Sequence, residues 1–305
     1  MFRTILVPLD GSPLSERALP IALDIARRSG GSVHLVRAHV PLAIVGATAE
    51  GILTQDMLGA DDAIRDRAKQ SLTELGKRMA EVWGVPVTVH VEDGSPSDVI
   101  DRVADEVGAQ LIVMTTHGTG GFAPDWLGSV TDAVIRHSHR PVLALPENDP
   151  HLDASFVPRR IMVPLDGSER SDAIIAPARD LALLFGAHLD FVRVVAPYVP
   201  GDVGDALASD RPDPYGIDAQ ATEAKEALNR VVEGMEAQGL IAHSTVVVQS
   251  WPPRVLLDHI KATDPDCVAI ATQGRGLTRL FVGSVADKLI RGSGRPVLVL
   301  RPMKD

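Results

Sequence analysis

The sequence predicts an α/β protein made of two tandem copies of one domain, each an open parallel five-stranded sheet with helices on both faces. Three observations carry this reading. Arg3-Thr-Ile-Leu-Val-Pro-Leu-Asp-Gly-Ser12 returns as Arg159-Arg-Ile-Met-Val-Pro-Leu-Asp-Gly-Ser168, an offset of 156 residues between Asp10 and Asp166. Leu127-Gly-Ser-Val130 and Arg140-Pro-Val-Leu143 return as Val282-Gly-Ser-Val285 and Arg295-Pro-Val-Leu298. Between these landmarks, short and wholly apolar runs alternate with amphipathic stretches of helical period, the pattern of strands covered on both sides. A repeat this long is a whole domain, because solenoid units run to roughly 20–50 residues and cannot bury a core alone. The reading places domains at 1–146 and 159–305, joined by the polar, proline-bounded segment 147–158.

The first half supports each element in turn. Ile5-Leu-Val-Pro-Leu9 is apolar throughout and reads as a buried strand ending in Asp-Gly-Ser. Ser12 is a good N-cap and Pro13 suits the first turn, so one helix is predicted from there to Ser29. Its apolar face is Leu14, Ala18, Ile21, Ala22 and Ile25, opposite Arg17, Asp24 and Arg28. Gly30-Gly31 stops it, and Val33 to Ala38 is the second strand. Residues from Pro41 to Ala60 read as an irregular connection, followed by a long polar helix through Trp83. Val85 to Val91 is a third strand, Pro96 to Val107 a helix and Leu111 to Met114 a fourth strand. A glycine-rich loop from Thr115 then leads into Gly128-Ser129, a helix to Ser138 and a last strand at Pro141 to Leu145. The second half repeats this from Ile161 to Leu300. Its long connection, Pro197 to Gln220, carries five aspartates against Arg211 and has the composition of a mobile segment.

Composition narrows the function. With 30 basic and 40 acidic side chains the net charge is −10, which repels a phosphate backbone and disfavours nucleic acid or an anionic membrane as partner. Cys267 is the single cysteine, so a disulfide within the chain and a thiolate metal cage are both excluded, as expected in a reducing compartment. The first residues reach Pro8 and Asp10 too soon for a signal-peptide core, and no apolar run approaches the roughly 18 residues of a spanning helix. The expectation is a cytoplasmic protein.

Ligands of open parallel sheets sit beyond the carboxyl ends of the strands, where strand order reverses. The unusual residues of this chain crowd those ends: Asp10, Gly94-Ser-Pro-Ser97, the glycine-rich loop, and Gly128-Ser129 at a helix start. A helix N-terminus with small residues suits a phosphate. Taken singly, Gly128-Ser129 also reads as a turn and N-cap, and Asp10 as an exposed turn residue. His117 invites a catalytic reading, but the other copy has Gln273 there. His137 and His139 lie two apart on a helix and face different ways, which does not make a metal pair. No phosphate loop ending in Gly-Lys-Ser/Thr and no Gly-x-Ser-x-Gly elbow is present. Gly118 to Ala123 matches the dinucleotide fingerprint only in letters, since it follows the fourth strand and runs into Pro124.

The Pro-Leu-Asp-Gly-Ser strand ends, Thr-His-Gly-Thr-Gly-Gly ahead of Gly-Ser-Val, and the closing Arg-Pro-Val-Leu strands together resemble the universal stress proteins, over both halves. The resemblance implies a Rossmann-like sheet of order 3-2-1-4-5, with the reversal between Asp10 and the glycine loop. It also implies an adenine-nucleotide site, with ATP and magnesium as cofactors. The strand ends framing it are Pro8, Leu9, Met114 and Thr115. Adenine would lie near Ala38, Gly94 and Pro96, ribose near Asp10, and phosphates on Gly118, Gly128, Ser129, Val130 and Thr131. The second-half counterparts are Pro164, Leu165, Asp166, Val194, Ile270 and Ala271, then Gly274, Gly283, Ser284, Val285 and Ala286.

The chain departs from the family's Gly-x-x-Gly, nine residues, Gly-Ser/Thr signature, because Thr115 and Ala271 stand at the first glycine. Nine residues separate Gly118 from Gly128 but only eight separate Gly274 from Gly283. The function so implied is a non-catalytic, nucleotide-dependent stress-response switch with an adenine nucleotide and an unknown protein as partners. A scaffold without useful nucleotide affinity and a slow ATPase are the alternatives. The apolar closing strands would join the halves edge to edge, and a homodimer is a further expectation.

Overall fold

The computed structural model describes residues 2–41, 55–116, 127–147, 156–196, 216–272 and 284–303. The chain divides into two compact units, Met1–Phe156 and Val157–Asp305. Each is an α/β unit with one parallel sheet.

In the first unit the strands are β1 (Thr4–Pro8), β2 (Ser32–His39), β3 (Val87–Asp93), β4 (Leu111–Thr115) and β5 (Val142–Leu145). The helices are α1 (Pro13–Glu16), α2 (Ala18–Ser29), α3 (Gln55–Trp83), α4 (Pro96–Glu106) and α5 (Ser129–His137). Pairing gives the order β3-β2-β1-β4-β5, all parallel, with Pro8 beside Val36 and Ile5 beside Leu111. The predicted order is therefore observed. Strands β1 and β4 sit in the middle with helices on both faces, so Ile5, Leu6, Val7, Leu111, Ile112 and Val113 are fully buried. Edge strand β3 is half-exposed along its length and carries Thr88, His90 and Glu92.

The second unit repeats this with β6 (Arg160–Pro164), α6 (Glu169–Asp172), α7 (Ile175–Phe185), β7 (His188–Val195), α8 (Ile217–Glu236), β8 (Ala242–Val248), α9 (Pro252–Thr263), β9 (Cys267–Ala271), α10 (Ser284–Gly292) and β10 (Val297–Leu300). Its order is β8-β7-β6-β9-β10, again parallel.

Four expectations need correction. The helix predicted as continuous from Ser12 to Ser29 is two helices broken at Arg17. Pro20 explains the break: it has no N–H for the carbonyl of Glu16, and its ring would strike that carbonyl, so the helix restarts with Pro20 in its first turn. Pro177 takes the same place in α7. The irregular connection ends earlier than Ala60, since α3 begins at Gln55 and runs through Gly59. Likewise α8 begins at Ile217, inside the predicted connection. The third strand is Val87–Asp93 rather than Val85–Val91, because Pro86 lacks a ladder donor and contributes its carbonyl to Val33 N instead. Residues 42–54 and 197–215 lie outside the described residues.

Candidate functional site

The parallel sheet gathers four strand ends on one edge. At β1 the chain turns through Asp10-Gly11-Ser12, and one carboxylate oxygen organises the turn. Asp10 Oδ1 accepts from Ser12 N at 2.9 Å and Ser12 Oγ at 2.6 Å. The Ser12 hydroxyl in turn accepts from Ser15 N at 3.1 Å, capping α1, and Ser15 Oγ donates to Ser12 O at 2.9 Å. Asp166, Ser168 and Ser171 reproduce the network, with Ser168 N at 2.9 Å and Ser168 Oγ at 2.6 Å from Asp166 Oδ1. Gly11 and Gly167 have φ of +85° and +81°, a region that L side chains enter only with strain.

Above each glycine lies an arginine that sequence reasoning did not single out. A Cβ on Gly11 would stand 2.7 Å from Arg37 Nη1, and one on Gly167 would stand 2.6 Å from the Arg193 guanidinium. Both arginines are half-buried, and among the described residues neither has an ion-pair or hydrogen-bond partner. They are also separated by 156 residues, the offset of Asp10 and Asp166, so recurrence was the signal that could have found them. In the second unit the local charges are felt: burial pushes the Asp172 carboxyl above its ordinary range, Asp166 adds to this, and the Ser171 hydrogen bond and Arg193 oppose it.

Across the strand-order reversal, β4 ends in buried Met114 and Thr115. Gly128 N donates to Thr116 O at 2.7 Å, drawing the start of α5 onto the end of β4. Gly128 is the N-cap residue and, as a glycine, brings no side-chain cap of its own. Ser129 is exposed and Val130 half-buried, whereas Thr131 is 3% exposed and donates its hydroxyl to Thr115 O at 2.9 Å. That hydroxyl, assigned to phosphate by resemblance, ties helix to strand here, and a ligand would meet the main chain of residue 131. Ala286 at the equivalent place is buried without such a tie.

The β3 end completes the edge. Gly94, at φ +142°, donates N–H to His39 O at 2.9 Å, and Ser95-Pro96 open α4. Ala38 lies beside Glu92 on the adjoining strand. Pro8, Leu9, Asp10, Ala38, Gly94, Pro96, Met114, Thr115, Gly128, Ser129, Val130 and Thr131 thus share the carboxyl edge of the first sheet. Pro164, Leu165, Asp166, Val194, Ile270, Ala271, Ser284, Val285 and Ala286 share that of the second. Gly118, Gly274 and Gly283 lie outside the described residues. Among the described residues no group of three His, Cys, Asp or Glu side chains is placed to hold a metal, and no helix is long and apolar enough to cross a membrane.

A doubly wound parallel sheet, present twice, with a polar turn after its first strand and a helix following its fourth, defines a tandem α/β protein. The chain belongs to the Universal stress protein family, whose model matches residues 1–146 and again 158–301. A universal stress protein of Mycobacterium tuberculosis is 27% identical over 310 residues, covering 97% of this chain and 96% of its own. The crystal structure of a universal stress protein from Archaeoglobus fulgidus covers 98% of both chains at 19% identity with a TM-score of 0.70. A universal stress protein solved in complex with cAMP is 27% identical, covers 48% of this chain and 98% of its own, and has a TM-score of 0.35.

Proposed function

We propose that this protein binds ATP, with magnesium, at the carboxyl edge of its sheets and acts as a nucleotide-dependent stress-response switch rather than as an enzyme. One observation carries the reading: α5 opens at Gly128, a residue with no side chain of its own to cap the helix, on the side of the reversal opposite the Asp10 turn. Such an end offers main-chain N–H groups and a positive dipole to phosphate. Adenine lies against Ala38 and the Gly94–Pro96 turn, ribose on Asp10, and phosphates along Gly128, Ser129 and Val130. Among the described residues there is no three-ligand cluster, so magnesium would come with the nucleotide, and the Asp10 carboxylate would face either it or the ribose hydroxyls. Arg37 adds positive charge beside Asp10, which would otherwise repel a triphosphate. Bound nucleotide alters the surface at that edge, which a partner protein reads.

One observation favours the scaffold alternative. Thr115 is buried where the family signature has a glycine, and both its carbonyl and the Thr131 hydroxyl are engaged with each other. Mass spectrometry of ligand released from freshly purified protein, followed by calorimetric titration with ATP and magnesium, separates the two readings. A co-purified adenine nucleotide and saturable heat are expected. Absence of both leaves the scaffold.

A further inference from the structure

Two described residues other than glycine have positive φ, Asp264 at +49° and Trp251 at +67°. Asp264 closes α9, and aspartate enters this region with little penalty. Trp251 is different: a bulky aromatic residue in left-handed geometry, ψ +65°, is a true outlier. Pro252 follows it and restricts its backbone further. The indole is nevertheless not buried to compensate, being 76% exposed.

Its place in the fold gives the strain a use. Trp251 is the N-cap residue of α9 and corresponds, 156 residues on, to Ser95 at the start of α4. Ser95 has an ordinary φ of −67° and ψ of 142°, and the left-handed step there falls on Gly94. The first unit thus builds this turn with a glycine and a small residue, and the second puts an indole on it. Gln249 N donates to Val195 O at 3.0 Å, so the turn leaves β8 alongside the end of β7, next to Val194. Trp251 O accepts from Arg254 N at 3.0 Å and Val255 N at 3.2 Å, and prolines 252 and 253 stiffen the same turn. The exposed indole therefore springs from a hydrogen-bonded turn at the carboxyl edge, next to the strand end where the base of a nucleotide would lie.

We infer that Trp251 is the base-stacking wall of the second unit's cleft and selects a planar purine there, a role the first unit fills without an aromatic residue. The inference rests on the nucleotide reading proposed above and makes the two clefts unequal. Both share the polar turn and the arginine above its glycine, and the second adds the ring.

The test uses the full chain with Trp83→Phe and Trp126→Phe, which leaves Trp251 as the sole tryptophan. Titration with adenosine, and separately with ATP and magnesium, is followed by fluorescence and by calorimetry. Saturable quenching that tracks one class of binding heat is expected with both ligands, because the contact is to the base. Trp251→Gly, which relieves the backbone strain, should raise the unfolding temperature yet weaken that class about 10- to 100-fold, the range for loss of one stacked base. Trp251→Phe should restore most of the affinity. Binding heat without any change in fluorescence, or affinity untouched in Trp251→Gly, overturns the inference and leaves the nucleotide reading standing. No heat with either ligand removes both.

Discussion

A methyl group at Gly11 should report directly on the arginine above it. In Gly11→Ala two terms add. The residue must hold φ near +85°, which costs about 1–2 kcal/mol for an L side chain. The new Cβ also meets Arg37 Nη1 at 2.7 Å and Cζ at 2.9 Å. Because the obstacle is the end of a flexible chain, Arg37 swings away, and losing its preferred packing adds roughly 1 kcal/mol. Gly30 isolates the first term, since it has φ +64° and nothing within 4 Å of its would-be Cβ. Gly30→Ala should therefore cost about 1–2 kcal/mol and Gly11→Ala about 2–3 kcal/mol. At roughly 2–4 °C per kcal/mol for a unit of this size, the melting temperatures fall by about 2–8 °C and 4–12 °C. Adding Arg37→Ala to Gly11→Ala should bring its cost down to that of Gly30→Ala, a coupling near 1 kcal/mol that a double-mutant cycle by thermal or urea unfolding can measure. Equal costs for Gly11→Ala and Gly30→Ala, unchanged by Arg37→Ala, would refute the packing of this guanidinium over the Asp10 turn.

Two titrations have opposite signs. Burial, helped by His90, lowers the pKa of His34 below its ordinary 6.5, so the folded state binds fewer protons than the unfolded chain just below that value. Stability present at neutral pH should be lost as pH falls through 6.5 toward the folded value, and the loss should be shallower in His34→Gln, read from urea midpoints across that range. Asp101 behaves conversely: its Oδ1 is buried without a hydrogen-bond partner among the described residues, and burial is the main cause raising its carboxyl above 3.8. Stability that it contributes when protonated is lost as pH rises through the folded value. Asp101→Asn should then be more stable than wild type at pH 7, with the gap closing in acid. Cys267 is fully buried in β9 and its thiol is pushed up to about 12, so thiol reagents should leave the native protein unlabelled and modify it at the rate the second unit opens. Rapid stoichiometric labelling under native conditions would contradict that burial.

Strands and caps were legible because their causes are local. Ile5 to Val7 and Leu111 to Val113 are apolar without interruption, which only a strand covered on both faces requires, and Ser12 stands where a helix needs a side-chain acceptor. The break at Arg17 was also local, and Pro20 was its visible sign. Gly59 misled in the other direction, since an exposed glycine inside a long helix costs too little to stop it.

The chain alone determined that there are two copies of one α/β unit, that Asp10 and Gly94 each follow a strand and that Gly128 opens a helix, because periodicity, capping and repetition are properties of neighbouring residues. Which side chains meet was decided by tertiary structure. Arg37 lies 26 residues beyond Gly11 and reaches it only because β2 pairs with β1 in a register that sets Val36 against Pro8. Thr131 reads as a free hydroxyl until α5 packs on β4 and brings it to the Thr115 carbonyl. Trp251 reads as an ordinary residue before a proline, and only the folded turn holds it in left-handed geometry with its ring in solvent. A contact between distant segments depends on register and packing angle, and neither is written in any short stretch of sequence.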